Sequence, residues 1–170
     1  MLCCLQKCFC ITLPDDSDDE FETNKIMFTD SSEVSWFSLD GTACQCKVID
    51  VYDADKVTIM LEFSGELYKV KCRLLGIDSA EKRTKNLEEK TVALEATKWL
   101  SELINNKVIW VKWGKYGGRM LGTLYMTEKD MKNGVSINNM VVEKGYAYFY
   151  DGKKKKKFKM IFTKKQSSLF

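Results

Sequence analysis

Three closely spaced runs of β-branched and aromatic residues occupy the chain from residue 46 to residue 77. Their sequences are CKVIDVY, KVTIMLEF and LYKVKCRLLGI, and only short polar or glycine-containing segments separate them. Residues of this kind favour β-strands. The segment SGE at 64–66 predicts a hairpin turn between the second and third strands. The ordered part of the chain is therefore expected to begin as an antiparallel sheet.

The second half of the chain alternates between helix and strand. Asn105 and Asn106 end a helix, and Ser136 caps a second one, INNMVVEK, which stops at Gly145. The segments KVIWVKW and RMLGTLYM predict two further strands. Five strands with an intervening helix predict an α+β fold around a small five-stranded barrel. Periodicity alone does not distinguish that barrel from other small α+β sheets. The first helix is indicated by apolar residues at helical spacing, namely Val92, Ala96, Trp99, Leu100, Leu103 and Ile104.

Both ends of the chain differ in composition from its middle. The first 40 residues contain a cysteine cluster and an acidic block, DDSDDEFE, whereas a lysine run begins at residue 153. At 170 residues with 45% hydrophobic content, the chain is long enough for one buried core. We predict a tail over 1–40, one folded domain over 41–152 and a Lys-rich segment over 153–170. A short third helix in that last segment is a hypothesis.

The composition excludes several kinds of site and suggests a location. The chain has no histidine, which excludes His-based catalytic triads and His-ligated zinc. Its seven cysteines match no usual zinc spacing, so reduced thiols in an intracellular, cytoplasmic protein are the simplest interpretation. The segment MLCCLQKCFCITL is too short to span a bilayer. Palmitoylation of Cys3 and Cys4, aided by the lysine run, would bring the protein to a membrane surface. A plain thiol-rich tail is the alternative.

Acidic residues stand at the ends of strands that should bury aliphatic side chains. Asp55 begins the second predicted strand and Asp78 ends the third. A hairpin turn at 64–66 would bring both carboxylates to the same end of the sheet. Converging carboxylates repel each other unless a hard cation lies between them, and calcium takes oxygen ligands of this kind. This pair predicts a calcium site.

Two arginines and a glutamate extend that candidate site. Arg73 on the third strand and Arg119 at the start of the fifth would be bidentate donors to a phosphate. Glu81, on the loop after Asp78, would orient or deprotonate a water molecule. Together these groups suit phosphodiester hydrolysis. The alternative is structural, since such acids often cap turns and strand arginines often form surface ion pairs. Spacing alone does not decide between them.

Several short motifs resemble those of the staphylococcal nuclease (thermonuclease-like) family and occur in the same order. The resemblance extends from Cys46 to Tyr150 and implies an OB-fold five-stranded β-barrel with two or three packed α-helices. Four motifs carry it: DADK (53–56) resembles the family's DGDT, RLLGIDSAE (73–81) its RLLxVDTPE, KYGGRMLG (115–122) its KYGRxLA, and INNMVVEKGYA (137–147) its VNxxLVxxGxA.

The resemblance implies a calcium ion, Ca²⁺, as cofactor. The implied ligands are the carboxylates of Asp55 and Asp78 and the main-chain carbonyl of Ser79. Asp53 would lie in the outer shell and orient metal-bound water.

The resemblance also implies catalytic and substrate-binding roles. Arg73 and Arg119 would hold the scissile phosphate and stabilise its transition state, while Glu81 would activate the attacking water. A nucleic-acid substrate, DNA or RNA, would be the partner. The implied nucleic-acid-binding residues are Lys115, Tyr116 and Tyr150.

We therefore predict a monomeric, calcium-dependent endonuclease that hydrolyses DNA and RNA with low sequence specificity. The alternative is a catalytically weak OB-fold module that binds nucleic acid or other partners. The intact arginines and glutamate favour the enzyme. Three departures from the family motifs favour the alternative: Lys56 in place of a threonine, Ala80 in place of a proline, and one extra glycine in KYGGR.

Overall fold

The computed structural model describes residues 30, 32, 38–115 and 118–153. The chain divides into two compact units, Met1–Ser38 and Leu39–Phe170, and the helices and strands given below belong to the second. Three predictions lie outside the described residues. They are palmitoylation of Cys3 and Cys4, the role of Tyr116, and the third helix beyond Lys153.

The described residues form strands and helices in mixed order. The strands are β1 (Ala43–Asp53), β2 (Lys56–Phe63), β3 (Glu66–Leu74), β4 (Ile77–Ser79), β5 (Val108–Trp113), β6 (Met120–Tyr125) and β7 (Ala147–Phe149). The helices are α1 (Leu87–Ile104), α2 (Glu128–Asn133) and α3 (Ile137–Glu143). None of these helices is long and apolar enough to cross a membrane.

Five of the strands close into a barrel in the order β1-β2-β3-β6-β5. The β3–β6 pair is parallel and the other pairs are antiparallel, so the barrel is mixed. The predicted α+β five-stranded barrel is confirmed. The predicted hairpin turn is also present, because Ser64 and Gly65 link β2 to β3 with φ of 53° and 83°. Positive φ at both central residues matches the right-handed twist of a hairpin.

The barrel interior contains the inward-facing side chains of alternating strand residues. Val48, Ile59, Val111 and Leu124 are fully buried there, as the period of two along a strand requires. Helix α1 packs against the barrel with its own apolar face. That face consists of Ala93, Ala96, Leu100 and Ile104.

Helix α1 begins and ends at polar residues. The side chain of Asn86 accepts hydrogen bonds from the backbone N–H groups of Glu88 and Glu89, which satisfies two otherwise unpaired donors. The helix ends at Asn105, as predicted, and Ser136 caps α3, as predicted.

Two elements were not predicted. Helix α2 buries none of its side chains, so its sequence lacks an apolar period. The sequence feature that could have predicted this helix is its pair of capping residues, Thr127 and Gly134. The second element is a two-stranded ladder of β4 and β7. Each of these strands has three residues, which is too short for a periodic pattern.

The position predicted for Asp78 was wrong in one respect. Strand β3 ends at Leu74, a turn with Gly76 at φ 77° follows, and Asp78 lies in the middle of β4. The turn redirects the chain, so that Asp78 pairs with Tyr148 of β7. The hydrogen bonds of β4 therefore decide where this carboxylate points.

A buried amide connects α3 to the barrel at this turn. The side-chain Nδ2 of Asn138 donates to the carbonyl oxygens of Leu75 (2.9 Å) and Gly122 (3.2 Å). Its Oδ1 accepts from the backbone N–H of Leu124 at 3.1 Å. One side chain thus holds both the turn that leads to β4 and strand β6.

Candidate active site

The β1–β2 turn brings the first acidic residues next to β3. Asp53 pairs with Lys56 across this turn, and Lys56 pairs with Arg73 of β3. The backbone N–H of Leu74 donates to the carbonyl oxygen of Asp55 at 2.8 Å. This bond holds the turn against β3 and places the Asp55 side chain beside Arg73.

Arg73 lies between the two predicted calcium ligands. Its Nη2 is 2.7 Å from Oδ2 of Asp55 and 2.6 Å from Oδ1 of Asp78. Both carboxylates are buried, with 1% of Asp55 and 4% of Asp78 exposed. The structure therefore brings the two acids to one end of the barrel, where they converge on a single guanidinium nitrogen.

Hydroxyl groups hold both carboxylates from the other side. The Ser79 hydroxyl donates to Oδ1 of Asp55 at 3.1 Å, and the buried Tyr148 hydroxyl donates to Oδ2 of Asp78 at 2.7 Å. The contact from Tyr148 was missed from the sequence. This contact depends on the pairing of β4 with β7, which brings together residues that are 70 positions apart in the sequence.

Asp53 is surrounded by lysines. Lys56 Nζ lies 2.8 Å from its Oδ2 and 3.8 Å from Oδ1 of Asp55. Lys82 Nζ lies 3.7 Å from Oδ1 of Asp53 and 4.6 Å from the centre of the Tyr52 ring. Oδ1 of Asp53 is buried and accepts no hydrogen bond from the described residues. Lys82 was also missed, because nothing in its local sequence indicates this contact.

Burial raises the pKa of the Asp55 carboxyl above its ordinary value. The charges of Arg73 and Lys56 and the hydrogen bond from Ser79 oppose this shift, whereas the charge of Asp78 adds to it. Since burial outweighs the nearby cations, the neutral form of Asp55 is more favoured here than in an exposed aspartate.

The donor chemistry of the site fits a calcium ion in part. Two buried carboxylates that converge, with a neighbouring main-chain carbonyl at Ser79, are oxygen ligands of the kind that calcium takes. No group of three or more His, Cys, Asp or Glu side chains within the described ranges is arranged to hold a metal. A bound ion would therefore complete its shell with water, and Asp55, Asp78 and Ser79 would hold it.

Arg119 lies on a groove that it shares with Arg73. The groove has a volume of about 840 Å³, and Arg119 is exposed at its side, directly before β6. Gly118, part of the extended KYGGR motif, has a φ of 79°, a left-handed conformation that suits glycine. The two arginines thus face one opening, despite the extra residue.

Glu81 lies on the loop between β4 and α1 and is exposed. Its backbone N–H donates to Oε1 of Glu89 at 3.3 Å, and the Thr84 hydroxyl donates to Oε2 of the same carboxylate at 2.9 Å. Helix α1 thereby anchors the loop two residues after Ser79. The preceding residue, Ala80, is buried.

The predicted nucleic-acid contacts are more dispersed. Lys115 is exposed after β5. Tyr150 packs edge-on against Tyr148, with ring centres 6.3 Å apart, and its hydroxyl donates to the carbonyl oxygen of Lys153. Neither Lys115 nor Tyr150 lines the groove between the arginines.

A model of the family described as "Staphylococcal nuclease homologue" matches residues 71–167, more than half of the chain. The matched range contains Arg73, Asp78, Glu81 and Arg119, whereas Asp53 and Asp55 precede it. No curated protein matches.

Proposed function

Because the chain belongs to the staphylococcal nuclease homologue family, we propose that it is a calcium-dependent nuclease acting on DNA and RNA. The observation that carries this proposal is the Arg73 guanidinium, shared by two buried carboxylates at the edge of a groove that Arg119 also lines. Arginines that would bind phosphate therefore lie next to carboxylates that would bind a metal ion. Low sequence specificity follows, because such groups bind the backbone of a nucleic acid and carry no base-reading pattern.

In the proposed reaction, water attacks phosphorus, one P–O ester bond breaks, and the leaving oxygen takes a proton from the solvent. Arg73 and Arg119 donate hydrogen bonds to the phosphate oxygens, on which negative charge increases in the transition state. Glu81 accepts a proton from the attacking water. Asp55, Asp78 and the Ser79 carbonyl would hold a calcium ion, which would supply electrostatic stabilisation of the same charge.

A second candidate function is a catalytically weak OB-fold module that binds nucleic acid. The observation in its favour is the charge balance of the acidic cluster. Asp53, Asp55 and Asp78 are all in contact with cations of the chain itself, namely Lys56, Arg73 and Lys82. A cluster already neutralised in this way binds a metal ion less strongly.

A cleavage assay separates the two functions. Single-stranded DNA and RNA are incubated with the protein in calcium and in a calcium chelator. We expect cleavage only in calcium, and we expect Glu81→Gln and Arg119→Ala each to reduce it at least about 100-fold. Glu62→Gln, at an exposed position on β2, is the matched control and should retain the activity. Cleavage that persists in chelator or in both site variants would reject the proposal.

Localisation and assembly are proposed from the sequence. We propose a cytoplasmic monomer, and acylation of Cys3 and Cys4 would in addition attach it to a membrane surface. A search for acyl-thioesters on the protein isolated from cells tests this attachment. Their absence would leave the cytoplasmic protein without this anchor.

A further inference from the structure

The outer face of the β2–β3 hairpin carries lysines that the proposed reaction does not use. Along β3, Lys69, Lys71 and Arg73 face outward, while Cys72 and Leu74 face the barrel core. The three cations line the same groove as Arg119. Alternate residues of a strand are about 7 Å apart, so these cations form a row roughly 14 Å long that starts at the candidate phosphate site.

The cross-strand neighbours of these lysines give no structural reason for the row. Lys71 pairs with Thr58 and Lys69 pairs with Met60, so neither lysine has an acidic partner across the hairpin. Opposite charges are the pairs that usually stabilise such a face. Neither lysine forms an ion pair with any residue that the structure describes.

The charge of the groove is unbalanced as a result. Lys56 and Arg73 already contact carboxylates, whereas Lys69, Lys71 and Arg119 form no ion pair within the described part of the chain. Among the described residues that line the groove, Asp50 is the acid, which leaves two of those three cations unmatched. An anionic polymer would supply the missing counter-charge.

Tyr52 adds a feature that distinguishes single strands from duplexes. Tyr52 lines the same groove, is 43% exposed as a residue, and has the Lys82 ammonium over its ring. Exposed aromatic rings beside a basic groove stack with unpaired bases, which a duplex does not offer. A single row of cations likewise suits the phosphate backbone of one nucleic-acid strand.

We propose that Lys71 and Lys69 bind successive phosphates on one side of the reacting phosphate of a single-stranded nucleic acid, which runs along the outer face of β2–β3. The proposal rests on the proposed function, because that function places the reacting phosphate at Arg73. It adds an extended substrate-binding site. Substrates long enough to reach Lys69 should therefore bind more tightly than a trinucleotide.

The test measures binding in calcium chelator, so that it does not depend on cleavage. The probe is a labelled oligothymidylate of about 12 nucleotides, a length within the range that OB folds cover. Its dissociation constant is measured by fluorescence anisotropy from low to moderate salt. For the Lys69→Gln/Lys71→Gln double variant, we expect the slope of log Kd against log salt to fall by about 1.4, since each single-strand phosphate contact contributes roughly 0.7.

A matched double variant controls for net charge. Lys107→Gln/Lys112→Gln removes two exposed lysines outside the groove and should leave the slope unchanged. An equal effect of both double variants, or no effect of the first, would overturn the inference. An equal fall in slope with a hairpin duplex of the same length would overturn the single-strand assignment.

The outcomes also separate this inference from the nuclease proposal. If the protein does not cleave but the slope falls, the binding face stands and the enzymatic proposal fails. If the protein cleaves and the slope does not change, the enzymatic proposal stands and the inference about the binding face fails.

Discussion

At the scale of single residues, Lys56 is the position that reduces the negative charge of the acidic site. Its ammonium group contacts Asp53 and lies 3.8 Å from Asp55, so it neutralises part of the charge that calcium would need. The effect is reduced by solvent, because 35% of the Lys56 side chain is exposed. A like charge near a metal ion still costs binding energy.

We predict that Lys56→Gln tightens calcium binding about tenfold, which corresponds to ~1.4 kcal/mol. Among the described residues, removal of the Lys56 ammonium leaves Arg73 as the cation that competes with the metal ion for Asp55 and Asp78. Isothermal titration calorimetry with calcium alone measures this, and Lys112→Gln on the outside of β5 is the control. An unchanged or weaker affinity would show that Lys56 does not compete with the metal.

Tyr148 is the second residue whose role depends on one contact. We predict that Tyr148→Phe lowers the free energy of unfolding by about 2 kcal/mol, because the buried Asp78 carboxylate loses a charge-assisted hydrogen bond. Urea denaturation measures this loss. Tyr150→Phe is the matched control, since its hydroxyl bonds an exposed carbonyl, and it should cost less than about 0.5 kcal/mol. Equal losses would indicate a general packing effect.

At the scale of elements, the position of β4 depends on α3. Asn138 is 2% exposed and bonds the β3–β4 turn and β6 at once. The helix is only seven residues long, so its own propensity contributes little to its stability. Its packing and this amide hold it, and in turn they fix the strand that carries Asp78.

We predict that Asn138→Ala lowers the free energy of unfolding by about 3 kcal/mol, because buried backbone groups lose their hydrogen-bond partners. Asn139→Ala, at the exposed neighbouring position, should change it by less than about 0.5 kcal/mol. Chemical denaturation compares the two variants. A small effect of Asn138→Ala would mean that water replaces the amide and that α3 is not needed to position β4.

At the scale of the whole molecule, two thiols in the barrel core make stability sensitive to alkaline pH. Burial raises the pKa of Cys46 and of Cys72 from 9.0 to about 12, and the neighbouring thiols Cys44 and Cys46, respectively, add to the shift. The folded thiols stay protonated where the unfolded ones ionise. The unfolded state therefore binds fewer protons above pH 9, and stability falls as the pH rises towards 12.

We predict that the free energy of unfolding decreases from pH 9 upward and that the Cys46→Ala/Cys72→Ala double variant decreases less steeply. Lysine titration affects both proteins equally, so the difference between their slopes reports the thiols. Urea denaturation between pH 8 and pH 10.5 measures it. Parallel slopes would show that the thiols ionise as readily in the folded barrel as in the unfolded chain.

The fold was more predictable than the site. Strand runs, the SGE turn and the residues that cap α1 and α3 act over short distances along the chain, so local sequence indicates them. The gathering of Asp55 and Asp78 at one end of the barrel also follows from the hairpin, whereas the β4–β7 pairing sets the direction of the Asp78 side chain. The β4–β7 ladder and the Asn138 contacts do not follow, because they join distant segments with no periodic signal.

The amino-acid sequence by itself determined which chemical groups are available and the end of the barrel at which they gather. Only the tertiary structure decided the partners of those groups: Arg73 between two carboxylates, Lys56 and Lys82 around Asp53, and Tyr148 on Asp78. The physical reason is the range of each interaction. Turns and periodicity are set by neighbouring residues, whereas the charge balance of a buried site depends on every element that packs around it.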